Sequence, residues 1–393
     1  MTVTSTGTVW DTLVGQRPVV EVLRAAAAGD GMNHAWLFTG PPGSGRSNAA
    51  VAFAAALQCD DAGTAEAGCG GCHACHTVLA GSHADVTLVR TAKLSIGVDE
   101  VRDLVRRSAL APVGRRWQVL IVEDADRLTD QACNALLKAI EEPSARTVWM
   151  LCAPTVEDVL QTIRSRCRLV SLSTPADEDV AAFLVRADDV APPVAAYAAR
   201  ASQGHIGRAR ALARDEGTRE RRRAIVSLPM QLTTLGACMD AAKTLHEVAI
   251  EEAAQLTSDL DERERADLDA SYGVVQRGRR PREYAPALAA LEKAQKTRAK
   301  RRVLDVVDRG LIDLASMYRD AIVLAVGAGS TLVNEELRPG VQELVRLSTP
   351  EENLRRIDAI FTAREQMLEF NVPALLALEA MMVALRLPGG SGR

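Results

Sequence analysis

Three groups of residues have the types and spacing to do chemistry. The first is Gly40-Pro41-Pro42-Gly43-Ser44-Gly45-Arg46-Ser47, which follows the phosphate-loop pattern at every defined position except one. Glycines at Gly40, Gly43 and Gly45 let the backbone curl until its N–H groups point at phosphate oxygens, and the helix that follows adds the positive end of its dipole. A lysine normally reaches the outer phosphates, and a hydroxyl, here that of Ser47, holds Mg²⁺. This chain has Arg46 in the lysine place. Arginine keeps the charge but is longer, planar and forked, so it is not a neutral replacement: binding of ATP and Mg²⁺ is left open, and competence to hydrolyse ATP is not expected. The bland alternative is a Gly-Pro turn between any strand and helix.

The second group is Glu123-Asp124, at the end of the apolar run Val119-Leu120-Ile121-Val122. A nucleotide-hydrolysing site usually has Asp then Glu there, the first helping to hold Mg²⁺ and the second polarising the attacking water. Here the order is reversed, with Glu123 at the metal position and Asp124 at the base position. The missing methylene retracts the base by about an ångström, enough to spoil alignment. The plainer reading is a strand end entering a solvated acidic turn. The third group is Cys59, Cys69, Cys72 and Cys75. Zinc takes four soft ligands in a tetrahedron, and a Cys-x2-Cys knuckle supplies two from one side. Structural zinc is the expected ligand. An iron–sulfur cluster or redox-active thiols are the rivals, and His73 and His76 could replace one thiolate.

Elements must position these groups. Ala35–Thr39 reads as a strand leading into the phosphate loop, and 47–57 as the helix after it. Further strands are expected at 85–89, 117–122, 147–153 and 168–172. Gly97 to Ala109 has helical spacing, and Thr129 is a plausible N-cap for a helix ended by Pro143. Strands buried on both faces and joined by helices imply an α/β, doubly wound parallel sheet with an inserted zinc loop. From Pro175 onward strand signals stop. The expected organisation is a nucleotide-binding-like domain over 1–175 with the zinc module at 59–75, three short helices over 176–218, an all-α domain over 219–388 and a flexible tail at 389–393. In the all-α part, 301–326 and 353–370 are the clearest amphipathic stretches, with Gly and Pro breaks at Gly327, Gly329, Pro339 and Pro350.

Composition sets limits. The 393 residues carry 47 Lys+Arg against 51 Asp+Glu, a net charge of -4, so a globally basic nucleic-acid binder is excluded. Aromatics are 3%, too few for an extended base-stacking platform. No apolar run has the length of a membrane helix, and a cytoplasmic location is expected. Within the all-α part 247–269 is acidic and 277–302 strongly basic. The basic stretch either contacts phosphates or, the favoured reading, pairs with the nearby acidic segment.

Taken together, the chain resembles the bacterial clamp-loader ATPase family, AAA+ proteins of DNA polymerase III, over its first ~215 residues. The residues that carry the likeness are Val14-Gly15-Gln16, the run from His34 to Gly40, the cysteine cluster, the run from Leu136 to Pro143, and Ser165-Arg166-Cys167. The resemblance implies an AAA+ module with a three-helix lid and a helical collar. It also implies that Arg166 is an arginine finger acting in trans on a neighbouring subunit's ATP, and that Thr155 is a sensor of the terminal phosphate. A helix N-cap is the plain alternative for Thr155, and a surface arginine for Arg166. In motor subunits a lid arginine touches the nucleotide; here that position counts to Gly207, with Arg208 one place late. Together with Arg46 and the reversed pair, this points to a non-motor, stator-like subunit in a five-membered ring with gamma/tau motors and a delta subunit. Such a ring places a sliding clamp on primer-template DNA. By the same resemblance the chain belongs to a polymerase holoenzyme but has no evident polymerase site and little or no ATPase of its own. An ATP-hydrolysing motor, or a zinc-stapled adaptor outside any loader ring, are the alternatives.

Overall fold

The computed structural model describes residues 7–61, 67–91, 95–114, 116–273 and 281–387. The expected tail at 389–393 and Arg277, Arg279 and Arg280 of the basic stretch lie outside the described residues. The chain divides into two compact units, Met1–Arg214 and Asp215–Arg393.

The first unit runs α1 (Arg17–Ala27), β1 (Ala35–Thr39), α2 (Arg46–Gln58), α3 (His73–Leu79), β2 (Val86–Val89), α4 (Val98–Ser108), β3 (Gln118–Val122), α5 (Asp130–Glu141), β4 (Thr147–Ala153), α6 (Gln161–Arg164) and β5 (Arg168–Ser171). The strands form one parallel sheet in the order β2-β3-β4-β1-β5. Its registers include Phe38 opposite Cys152 and Ile121 opposite Met150. The period-2 alternation of a strand divides each one between two cores. Trp36, Phe38, Val119, Ile121, Val148, Met150 and Cys152 face α1 and α2. Ala35, Leu37, Leu120, Val122, Trp149, Leu151 and Ala153 face α4, α5 and α6. Every residue of β1, β3 and β4 is buried. That is why these strands read as continuous apolar runs and why the sheet must be parallel and covered on both faces.

Parallel strands end on one edge, and ligands bind outside their carboxyl ends. The order here puts the end of β1 (the phosphate loop) next to the end of β4, with the Glu123-Asp124 turn of β3 beyond it. Thr129 Oγ1 accepts the Ala132 N–H at 3.3 Å, the expected N-cap of α5. Three helices then pack on one another: α7 (Asp177–Asp188), α8 (Pro192–Ser202) and α9 (Ile206–Arg214), around Val180, Leu184, Ala195, Ala199, Ala209 and Leu212.

The second unit is helical throughout its described residues: α10 (Glu216–Ser227), α11 (Leu235–Ser271), α12 (Tyr284–Ala325), α13 (Arg338–Leu347), α14 (Pro350–Leu368) and α15 (Ala374–Leu385), with short 3-10 turns between some of them. Two sequence expectations change here. Pro339 and Pro350 are not simple breaks but sit in the first turns of α13 and α14, where the missing N–H costs nothing. The helix expected from residue 301 starts at Tyr284. At about 1.5 Å per residue, α11 and α12 are roughly 55 and 63 Å long. Their shared apolar core stops near Ala249 and Val303, so the distal halves form a two-helix arm.

Along that arm α12 presents Tyr284, Leu288, Leu291, Gln295 and Arg298, a 4-3-4-3 spacing, while the residues between them are mostly exposed. This is the seam of an antiparallel coiled coil. Polar members hold it: Tyr284 Oη donates to Asp269 Oδ1 at 2.5 Å, Gln295 Nε2 donates to the Asp261 carbonyl at 3.0 Å, and Arg298 donates to Glu264 Oε1 at 2.9 Å and also pairs with Asp261. The Arg298 guanidinium holds the Glu264 carboxyl below the usual carboxylate range. Polar pairs in a seam fix register at some cost in stability. Among the described residues no helix is long and apolar enough to cross a membrane.

Candidate functional site

The phosphate loop leaves β1 at Gly40 and enters α2 through Gly45, whose φ of 96° at the N-cap suits glycine alone. Gly43 (φ 84°) is required for a second reason. A Cβ there would lie 2.6 Å from the Cα of His205, and the Ile206 N–H donates to the Gly43 carbonyl at 3.3 Å. The start of α9 therefore packs directly on the loop. His205 was not singled out from the sequence, because 162 residues separate it from Gly43.

Arg46 opens α2, with Nη1 buried and without a hydrogen-bond partner. Burial holds its guanidinium below the ordinary arginine range, against the opposing fields of Cys152, Asp126, Asp124 and Asp158. Ser47 follows in the first turn of α2, half-buried. Cys152 lies at the end of β4, its thiol pushed up by burial. Asp158 also donates local order, since its Oδ2 accepts the Thr155 N–H at 2.8 Å. That bond makes a turn after β4 with Thr155 exposed. Thr155 is not a helix N-cap, because the next helix is the short α6 from Gln161.

Glu123 is already engaged. Its Oε2 accepts from Arg90 Nε at 2.6 Å, and the carboxylate is only 12% exposed, while Oε1 is buried without a partner. Asp124 lies 3.8 Å from Arg127 Nε. Burial raises the neighbouring Asp126 carboxyl, helped by the like charge of Asp124. Arg46, Glu123, Asp124 and Asp126 thus belong to one electrostatic neighbourhood at the carboxyl edge of the sheet. The sequence places all four there but does not reveal Arg90, whose partner is 33 residues away. The unpartnered Arg46 Nη1 and Glu123 Oε1 are groups that a phosphate–Mg²⁺ pair would satisfy, but half of Glu123 is committed to an internal cation.

Arg166 lies in the turn between α6 and β5. Its Nη2 lies 2.6 Å from Glu141 Oε1, and Nη1 donates to the Thr162 carbonyl at 2.7 Å; the side chain is 39% exposed. Cys167 beside it packs into the sheet core, its thiol pushed up by burial to about 12. So the tripeptide anchors one side chain and presents the next.

The four thiols converge. Their Sγ atoms all lie within 4.8 Å of one another, with Cys59–Cys69 at 3.6 Å and Cys59–Cys72 at 3.9 Å. A zinc with Zn–S bonds of about 2.3 Å sets tetrahedral S–S edges of about 3.8 Å, so the residues fit that ion. Cys59 caps the end of α2, Cys72 caps the start of α3, and Cys75 lies inside α3. The Cys72 and Cys75 N–H groups each point at the preceding thiol at 3.4 Å, as ligand sulfurs require. His73 and His76 are exposed and outside the converging set. Trp10 Nε1 donates to the Ala67 carbonyl and Val9 N–H to that of Gly68, both at 3.0 Å, so the cysteine loop also holds the 3-10 turn Val9–Thr12.

The first part of the chain is similar to known proteins. Residues 15–176 match the family model described as DNA polymerase III, delta subunit. The chain is 36% identical over 199 residues to DNA polymerase III subunit delta' of Escherichia coli, covering 50% of this chain and 59% of that one. It is 37% identical over 155 residues to subunit gamma/tau of Mycobacterium tuberculosis, covering 39% of this chain and 27% of that one. A solved DNA polymerase III gamma subunit-related protein from Thermotoga maritima aligns over 95% of this chain and 98% of its own at 14% identity and TM-score 0.42. The sequence matches thus span between about a quarter and three fifths of these relatives' lengths. Over residues 15–176, then, the chain is similar to the delta, delta' and gamma/tau subunits of DNA polymerase III.

Proposed function

We propose that this protein is a stator-like, delta-prime-type subunit of a cytoplasmic clamp loader, and that it lends Arg166 to a neighbouring subunit's ATP. The observation that carries the reading is an asymmetry within one module. The groups of its own nucleotide site are altered or engaged: Arg46 replaces lysine, Glu123 is tied to Arg90, and the start of α9 sits on Gly43. Ser165-Arg166-Cys167, by contrast, keeps its arginine at the surface. On this reading α7–α9 are the lid, the second unit is the collar, and the cysteines hold a structural zinc. Partners are gamma/tau motors and a delta subunit, with the sliding clamp and primer-template DNA handled through the complex. In the motor reading, Asp124 would act as base despite its short side chain; the engagement of Glu123 speaks against it.

The collar assignment draws support from an exposed apolar stripe. Leu354, Phe361 and Leu368 on α14 are 55%, 45% and 43% exposed, and their seven-residue spacing lines them along one face. An interface core needs such anchors. Leu354→Asp with Phe361→Asp should therefore abolish co-elution with gamma/tau and delta in size-exclusion chromatography while the isolated chain keeps its circular dichroism. Unmodified chain that never co-elutes with those subunits would refute the loader role.

A further inference from the structure

The basic stretch separates into two roles that the sequence could not distinguish. Arg298 turns into the arm's seam to meet Asp261 and Glu264. Lys293, Lys296 and Lys300 do the opposite. Spaced i, i+3, i+7, they share one face of α12, and the seam positions Leu288, Leu291, Gln295 and Arg298 take the other side of the helix. All three lysines are exposed, and none has an ion-pair partner among the described residues. Beside them lie the small exposed residues Ala289, Ala290, Ala294 and Thr297, and the one acid at the margin of the face, Glu292, faces Arg265 of α11 at 3.5 Å.

We propose that this lysine face of the arm docks on the phosphate backbone of duplex DNA. Its chemistry selects that occupant. Small residues let the helix approach closely, and lysine ammoniums are compact point charges that need no particular base. Seven residues of helix span about 10 Å, over which one strand presents about three phosphates. A protein partner would want large apolar or aromatic anchors at the centre of the patch, and this face has none. Single strands would want aromatic rings for stacking, and it has none of those either. On the other helix of the arm, Asp259, Glu262 and Asp267 are exposed. With Arg263 the exposed cation among them, this side of the arm is more acidic than the lysine face of α12, which is the side that suits a polyanion. The inference rests on α12 and not on the stator reading.

The test uses the full-length chain and a short fluorescein-labelled duplex in anisotropy titrations between roughly 50 and 200 mM salt. Replacing all three lysines (Lys293→Ala, Lys296→Ala, Lys300→Ala) leaves good helix formers in place, and circular dichroism checks the fold. The unmodified chain should bind with a steep salt dependence. The triple variant should bind about tenfold more weakly or worse at low salt, with a log–log slope shallower by about 2.7, at 0.9 per lost phosphate contact. Unchanged affinity and slope would overturn the proposal. So would equal or tighter binding of a single strand, or of poly-glutamate, through the same lysines. Co-elution of the triple variant with gamma/tau and delta should be unaltered, which keeps this test separate from that of the loader role.

Discussion

Arg166→Ala is expected to slow ATP hydrolysis at the adjoining subunit's site by about 10³-fold, within the 10³–10⁵ range of arginine fingers. The reasoning is electrostatic. As the terminal phosphoryl group transfers, charge spreads over its oxygens, and a forked guanidinium fixed nearby neutralises it without reorganising. In the isolated chain the guanidinium is not idle: Glu141 and the Thr162 carbonyl hold it at 2.6 and 2.7 Å. The pair is well exposed, so its loss should cost the fold little. The variant should accordingly keep its thermal stability and its assembly, and lose only rate. The measurement is single-turnover hydrolysis in a loader where only the adjoining site is competent. Undiminished hydrolysis there would remove Arg166 from the mechanism.

Loss of metal is the second large effect. The cysteine cluster ties the end of α2, the start of α3 and, through Ala67 and Gly68, the Val9–Thr12 turn to one point. Metal binding in such a loop is folding free energy. Cys75→Ala, or exhaustive chelation, should therefore lower stability by on the order of 5 kcal/mol. The loss should be local first: hydrogen exchange at residues 67–79 and 9–13 should accelerate while β3 and β4 stay protected. Metal analysis should return one zinc per chain. A chain that carries no zinc, or one that shows the visible absorbance of an iron–sulfur cluster, would contradict the assignment.

How much of this was readable beforehand follows from the physics of each element. Strands β1, β3 and β4 lie between two helical layers, so their sequences are unbroken apolar runs, and their bounds could be taken almost directly from the chain. The phosphate loop and the cysteine knuckles are local motifs, and local motifs survive in sequence. The first part of α12 does not stand out as helix in the sequence because Gln295 and Arg298 occupy seam positions in place of apolar residues. Their partners Asp261 and Glu264 sit more than thirty residues away. Long-range pairs were equally hidden. Arg90 on Glu123 and His205 on Gly43, both at the carboxyl edge of the sheet, leave no periodic trace, and neither does Glu141 on Arg166. Thr155 shows the limit from the other side: its bond from N–H to Asp158 follows from the turn after β4, which no spacing rule describes.

On the proposed function, this chain gives an arginine to a neighbour and does not itself turn over ATP. This is tested most directly by titrating purified full-length chain with labelled ATP and Mg²⁺ and following phosphate release from the same sample. The expected result is no saturable binding in the micromolar range and no release above background. Micromolar binding accompanied by steady turnover would contradict it and make the chain a motor.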